Sequence, residues 1–147
     1  MNDVPHSATG SEQVLLVEWN ANLRSGLHAW LVQEFPGYRV KTAAHREQAE
    51  QLAAACLPTL VLVNIDAHQG EGFATLRSLS KRQPEILLIA LSLYPVTYFR
   101  EAATAAGAAG CACIALADDR LRDLLRELLP SWQNRVPAET DCASCQL

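Results

Sequence analysis

Three short aliphatic runs constrain this chain more than any other feature. They are Val14-Leu15-Leu16-Val17, Leu60-Val61-Leu62-Val63 and Ile86 to Leu91. A strand with one wet face alternates apolar and polar residues; a continuous apolar run of this length belongs to a strand covered on both faces. None reaches the roughly 18 residues that a membrane span needs. Between the runs the period changes. Leu23, Leu27, Trp30 and Leu31 fall at i, i+4, i+7 and i+8, a helical stripe that Asn20 can cap and Pro36-Gly37 stops. Further helices are expected over Glu47–Cys56, Phe73–Arg82 and Thr97–Ala106, the last with Gly107 as its natural cap. Leu121, Leu124, Leu125, Leu128 and Leu129 mark a final helix ended by Pro130. Tyr38–Thr42 and Cys111–Ala115 supply two more strands.

Strand and helix thus alternate five times. Buried strands joined by helical crossovers predict an α/β fold: a five-stranded parallel sheet, doubly wound, (βα)5. With 147 residues the chain fits one domain, expected over 13–132, after a polar lead (1–12) and before a polar tail (133–147). Half the residues are hydrophobic and 19% are charged, which argues against disorder. The net charge of −4 argues against direct nucleic-acid binding, which draws on clustered Lys and Arg. The N-terminus lacks the layout of a signal peptide, so a cytoplasmic protein away from membranes is expected. Five cysteines, an odd number, do not read as a disulfide framework, and Cys56, Cys111 and Cys113 are expected as buried thiols.

In sheets of this kind function gathers at the carboxyl ends of the strands. Here those ends are Glu18-Trp19, Asn64 to Asp66, Ser92 and Ile114-Ala115. With these residues in place, the chain resembles the receiver domain of bacterial response regulators, a flavodoxin-like fold, over about 13–132. Val14 to Asn20 resembles the family's opening strand, which ends in an acidic pair. Pro58 to Asp66 resembles the strand that ends at the phosphoaccepting aspartate. Gly70-Glu71-Gly72 fits the following loop, Leu91-Ser92 the switch Ser/Thr position, and Gly107-Ala108-Ala109-Gly110 a segment common in receivers that precede helix-turn-helix domains.

The resemblance implies a Mg²⁺ site, an aspartyl nucleophile and a lysine for the phosphoryl group, yet the matching positions carry other residues. Glu18 keeps its charge, but the second acidic position is Trp19, the phosphoacceptor position is Asn64 and the lysine position is Ile114; only Ser92 fits. A carboxamide is a very poor nucleophile, and a hard cation needs several oxygen ligands. The expected function is therefore a pseudo-receiver, without enzymatic activity or cofactor. It would be a phosphorylation-independent interaction module in two-component signalling or transcriptional regulation, docking to a protein partner or dimerising. The face implied by the family is the fourth helix, fifth strand and fifth helix, with Tyr94, Tyr98, Arg100, Cys111, Arg122 and Arg126 as candidate contacts. About 15 residues follow the last helix, too few to fold alone, so a chain ending there is expected to act by contacting another protein.

Two alternatives stand beside this reading. Asp66 could accept a phosphoryl group or, with Glu18, hold a cation weakly; the simpler expectation is two loop carboxylates facing water. Cys142-x₂-Cys145 could make a small metal or redox protein, but no second pair or suitably spaced histidines accompany it. Trp19 is expected to plug the space where a metal would sit rather than to anchor a partner. His68, in the loop after Asn64, is expected to be solvated.

Overall fold

A computed structural model describes residues 12–115 and 120–129. The polar lead up to residue 11, Pro130, the tail (133–147) with Cys142 and Cys145, and the side chain of His68 lie outside the described residues. The elements in order are β1 (Gln13–Val17), α1 (Ala21–Glu34), β2 (Arg39–Ala43), α2 (Arg46–Cys56), β3 (Leu60–Asn64), a 3₁₀ turn (His68–Gly70), α3 (Glu71–Arg82), β4 (Leu87–Ser92), a second 3₁₀ turn (Val96–Tyr98), α4 (Arg100–Ala105), β5 (Gly110–Cys113) and α5 (Arg120–Leu128). The strands form one parallel sheet in the order β2-β1-β3-β4-β5. This is the doubly wound architecture that the alternation predicts.

Burial on both faces follows from the period-2 geometry of the strands. Leu15 and Val17, Val61 and Val63, and Leu88 and Ala90 face α2, α3 and α4, where Ala49, Ala53, Leu76, Leu79 and Ala103 meet them. Val14 and Leu16, Leu60 and Leu62, and Ile89 and Leu91 face α1 and α5, meeting Leu31, Phe35, Leu121 and Leu125. The small alanines of α2 let it lie close to the sheet. Arg122 of α5 bonds Glu34 of α1 at 2.8 Å and ties the second layer together.

Several boundaries shift by one or two residues, and two differences have identifiable reasons. The expected helix over Thr97–Ala106 is split: Phe99, at φ −134° and 6% exposed, turns into the core and separates the 3₁₀ turn from a six-residue α4. The fifth strand ends at Cys113, not Ala115, because its last ladder partner is Ser92. The caps behave as read: Asn20 Oδ1 accepts the Leu23 N–H at 2.9 Å, and Gly107 adopts φ +113° past α4.

Gly72 fixes the approach of α3 to the functional edge. A Cβ there would run into Ile65 Cα and lie 2.7 Å from the Asn64 carbonyl oxygen, so only glycine lets the helix start against the end of β3. Gly72→Ala should therefore destabilise the fold by about 1–3 kcal/mol, the usual range for overpacking. Chemical denaturation with an unchanged m-value checks this.

Candidate functional site

The parallel strands deliver their carboxyl ends to one edge, and the strand order reverses between β1 and β3. Crevices form at such a switch point. Glu18 follows β1 and Asn64 closes β3. Together with Trp19, Asn20, Asn22, Leu23, Asp66, Ala67 and Leu93 they line an open cleft of about 640 Å³.

Glu18 is only 3% exposed, which corrects the expectation of a water-facing carboxylate. A buried carboxylate must find donors. Asn64 Nδ2–H donates to Glu18 Oε1, and the Asn20 N–H donates to Oε2 at 3.0 Å. The Asn64 amide group thus stands beside the carboxylate where a cation or an acid proton would otherwise have to intervene. Its carbonyl end, Oδ1, accepts the Asp66 N–H at 2.7 Å. Arg24 Nη1–H donates to the Glu18 backbone oxygen at 2.9 Å and pins the chain from the first turns of α1.

Asp66 bridges two loops. The Ser92 hydroxyl donates to Asp66 Oδ1 at 2.7 Å, and the Leu93 N–H donates to Oδ2 at 2.8 Å. Ser92 Oγ accepts the Tyr94 N–H at 2.9 Å. The end of β4 is therefore held by an internal carboxylate. Asn64 is linked by hydrogen bonds to both Glu18 and Asp66, so one polar chain runs from β1 through β3 to β4.

Trp19, expected as a plug, packs half-buried against the α2–α3–α4 core and forms part of the cleft lining. Ile114 does not join the site: it packs into the opposite core, against the α1–α5 layer, and its N–H donates to the Ser92 carbonyl at 2.8 Å.

The candidate contact residues divide similarly. Tyr94 and Tyr98 are 61% and 76% exposed. Arg100 is exposed and lines a shallow groove on α4 with Thr97, Glu101, Thr104 and Ala105. Arg122 is committed to Glu34, so it holds layers together, whereas Arg126 is exposed on α5. Cys111 is half-buried; burial pushes its thiol up, and the charge of the Arg100 guanidinium draws it partly back. Sequence reasoning missed Asn22, Leu23 and Leu93 as parts of the cleft. Asn22 carried a hint, two positions beyond the strand-end cap, but Leu93 and Leu23 had no polar signature to mark them.

No family model and no curated protein matches the chain. Solved structures match it closely in shape. The signal receiver domain of a DNA-binding response regulator from Colwellia psychrerythraea has a TM-score of 0.72 at 20% identity, covering 81% of this chain and 98% of its own. The response regulator TrrA of Thermotoga maritima, solved with Mg²⁺ and BeF, has a TM-score of 0.70 at 23% identity, covering 80% and 99%. A LuxR-family two-component response regulator from Aurantimonas has a TM-score of 0.73 at 21% identity, covering 82% and 86%. The chain has the receiver-domain fold of these response regulators. Among the described residues, no helix is long and apolar enough to cross a membrane.

Two outcomes follow from this geometry. Asn64→Asp replaces the donor beside buried Glu18 with a second carboxylate, so stability at neutral pH should fall by about 1–3 kcal/mol. Mg²⁺ should restore part of that loss in the variant and leave the wild-type melting temperature unchanged, which thermal melts with and without the ion read directly. Because its thiol is held protonated, Cys111 should alkylate with iodoacetamide more slowly than a thiol in an unstructured peptide. Arg100→Met should slow it further, since it removes the cation that favours the thiolate; peptide mapping by mass spectrometry follows both.

Proposed function

We propose that this chain is a pseudo-receiver: a phosphorylation-independent interaction module, without enzymatic activity, of two-component-type signalling or transcriptional regulation. Its domain spans 13–132, and it docks to a protein partner or a second copy through the α4–β5–α5 face. The observation that carries the reading is the hydrogen-bonded set of Glu18, Asn64, Asp66 and Ser92. In a working receiver the residue at position 64 would be the nucleophile. A carboxamide at that position does not attack a phosphoryl donor, and here its two polar ends are already engaged. The Ser92 hydroxyl, expected from the resemblance to close on a phosphoryl group, donates instead to Asp66. A carboxylate built into the chain thereby does the holding that phosphorylation would otherwise regulate.

The docking face draws support from exposure. Tyr98 and Tyr94 present large rings to solvent on the connection between β4 and α4, and tyrosine is favoured at binding hot spots. The solved receiver domains of response regulators support the signalling context through shared fold alone.

Incubation with Mg²⁺ and acetyl phosphate tests the reading, followed by intact-mass measurement. No phosphoryl adduct is expected. Beryllofluoride with Mg²⁺ should leave the amide shifts of Glu18, Asn64, Asp66 and Ser92 flat. An adduct mapped to Asp66, or saturable shifts reaching Tyr98 and Cys111, overturns the proposal in favour of an altered but working phosphoacceptor.

A further inference from the structure

The cleft beside Trp19 has a composition that selects among ligand classes. Its lining includes two carboxylates, Glu18 and Asp66, three carboxamides, Asn20, Asn22 and Asn64, and the apolar Trp19, Leu23 and Leu93. No lysine or arginine is among the described residues that line it, so a phosphate or other anion meets negative charge without a counter-charge. A small hard cation fares little better. Glu18 is buried and already accepts two N–H groups, each Asp66 oxygen already accepts one donor, and Trp19 offers no oxygen. Arg24 lies on the flank, turned to the Glu18 carbonyl oxygen, and leaves the lining with net negative charge.

What suits these groups is a cation that is large, flat and weakly hydrated. An indole is the best aromatic partner for a cation, and a guanidinium stacks on it while its fork of N–H donors remains free. Each carboxylate oxygen of Asp66 retains a further lone pair, and Asp66 is exposed at the cleft mouth. Leu23 and Leu93 add apolar surface to the lining, which suits an aliphatic stem; Leu93 is 49% exposed.

We infer that the Trp19–Asp66 cleft binds a guanidinium group, stacked on the Trp19 indole and hydrogen-bonded to Asp66. The inference rests on the reading of this pocket as one that no longer takes a phosphoryl group, and it names what the pocket takes instead. The guanidinium can come from a free small molecule or from an arginine side chain of a partner polypeptide; the chemistry at the cleft is the same.

The test is an NMR titration of the wild-type protein with N-acetyl-arginine methylamide, reading the Trp19 indole N–H and the Asp66 and Leu93 amides. N-acetyl-citrulline methylamide, its neutral isostere, is the control. Saturable shifts with a Kd on the order of 1 mM are expected for the arginine probe and none for citrulline. Asp66→Asn should weaken binding about tenfold and Trp19→Leu about fivefold. Equal response to both probes, or no saturable shift from the arginine probe on the wild-type protein, overturns the inference without any variant having to fold. A heptapeptide with arginine at its centre and leucines on either side separates the sources: affinity equal to the single residue assigns a free ligand, and tighter binding lost in Leu93→Ala assigns a partner chain. A parallel titration with Mg²⁺ and beryllofluoride keeps the two readings apart. A response there overturns the pseudo-receiver reading, whereas silence to both reagents overturns the guanidinium site alone.

Discussion

Two-sided burial of β1, β3 and β4 is the constraint on which the molecule rests. Fourteen positions, Val14 to Val17, Leu60 to Val63 and Leu87 to Ser92, supply almost all of the central sheet, and all but Leu87 are buried. Strands covered on both faces have no wet side on which to place polar groups. Parallel pairing sends every crossover helix back over the sheet and every strand end to the same edge. Polar chemistry is thereby confined to the residues immediately past the strands. Glu18, Asn64, Asp66 and Ser92 meet there because nowhere else in this architecture could they be near one another and still reach solvent.

At that edge the choice of side chains decides what the fold can do. A carboxylate as buried as Glu18 has to be met by donors, a proton or a cation. The Asn64 amide and the Asn20 N–H meet it as donors. Asp66 plays the matching part across the cleft, with Ser92 and Leu93 as its donors. The result is an internally hydrogen-bonded edge that keeps its negative charge, in a scaffold whose solved relatives in shape are response-regulator receivers. Satisfied groups are poor reagents, and this inertness supports the reading as a docking module.

The sheet and its helices were legible because the apolar runs and the leucine stripes obey simple periods. So were the Asn20 cap and the Gly107 turn, where one residue type meets one backbone need. The burial of Glu18 was not legible: a charged residue after a strand reads as exposed until the amide of Asn64, 46 positions away, is brought against it. The role of Asp66 was hidden for the same reason, since its partner Ser92 is 26 positions off. Phe99 broke a helical pattern that its neighbours supported, because burying one ring against the core outweighed one more regular turn.

The short α4 also has a consequence in time. A helix of six residues has no stability of its own, since isolated helices need roughly twice that length even to be marginal. No side chain caps it at Phe99, and its order depends on Phe99 and Ala103 staying seated in the core. If Phe99 leaves its site, the hydrogen bonds from the Ala103, Ala106, Gly107 and Ala108 amides lose their support together. The segment from Val96 to Gly107 then opens as one cooperative unit while the central strands stay closed. Tyr98 sits on that unit, next to the residue that locks it. A partner gripping Tyr98 would set how often α4 melts, and the chain would carry a local order–disorder signal that leaves the sheet unchanged.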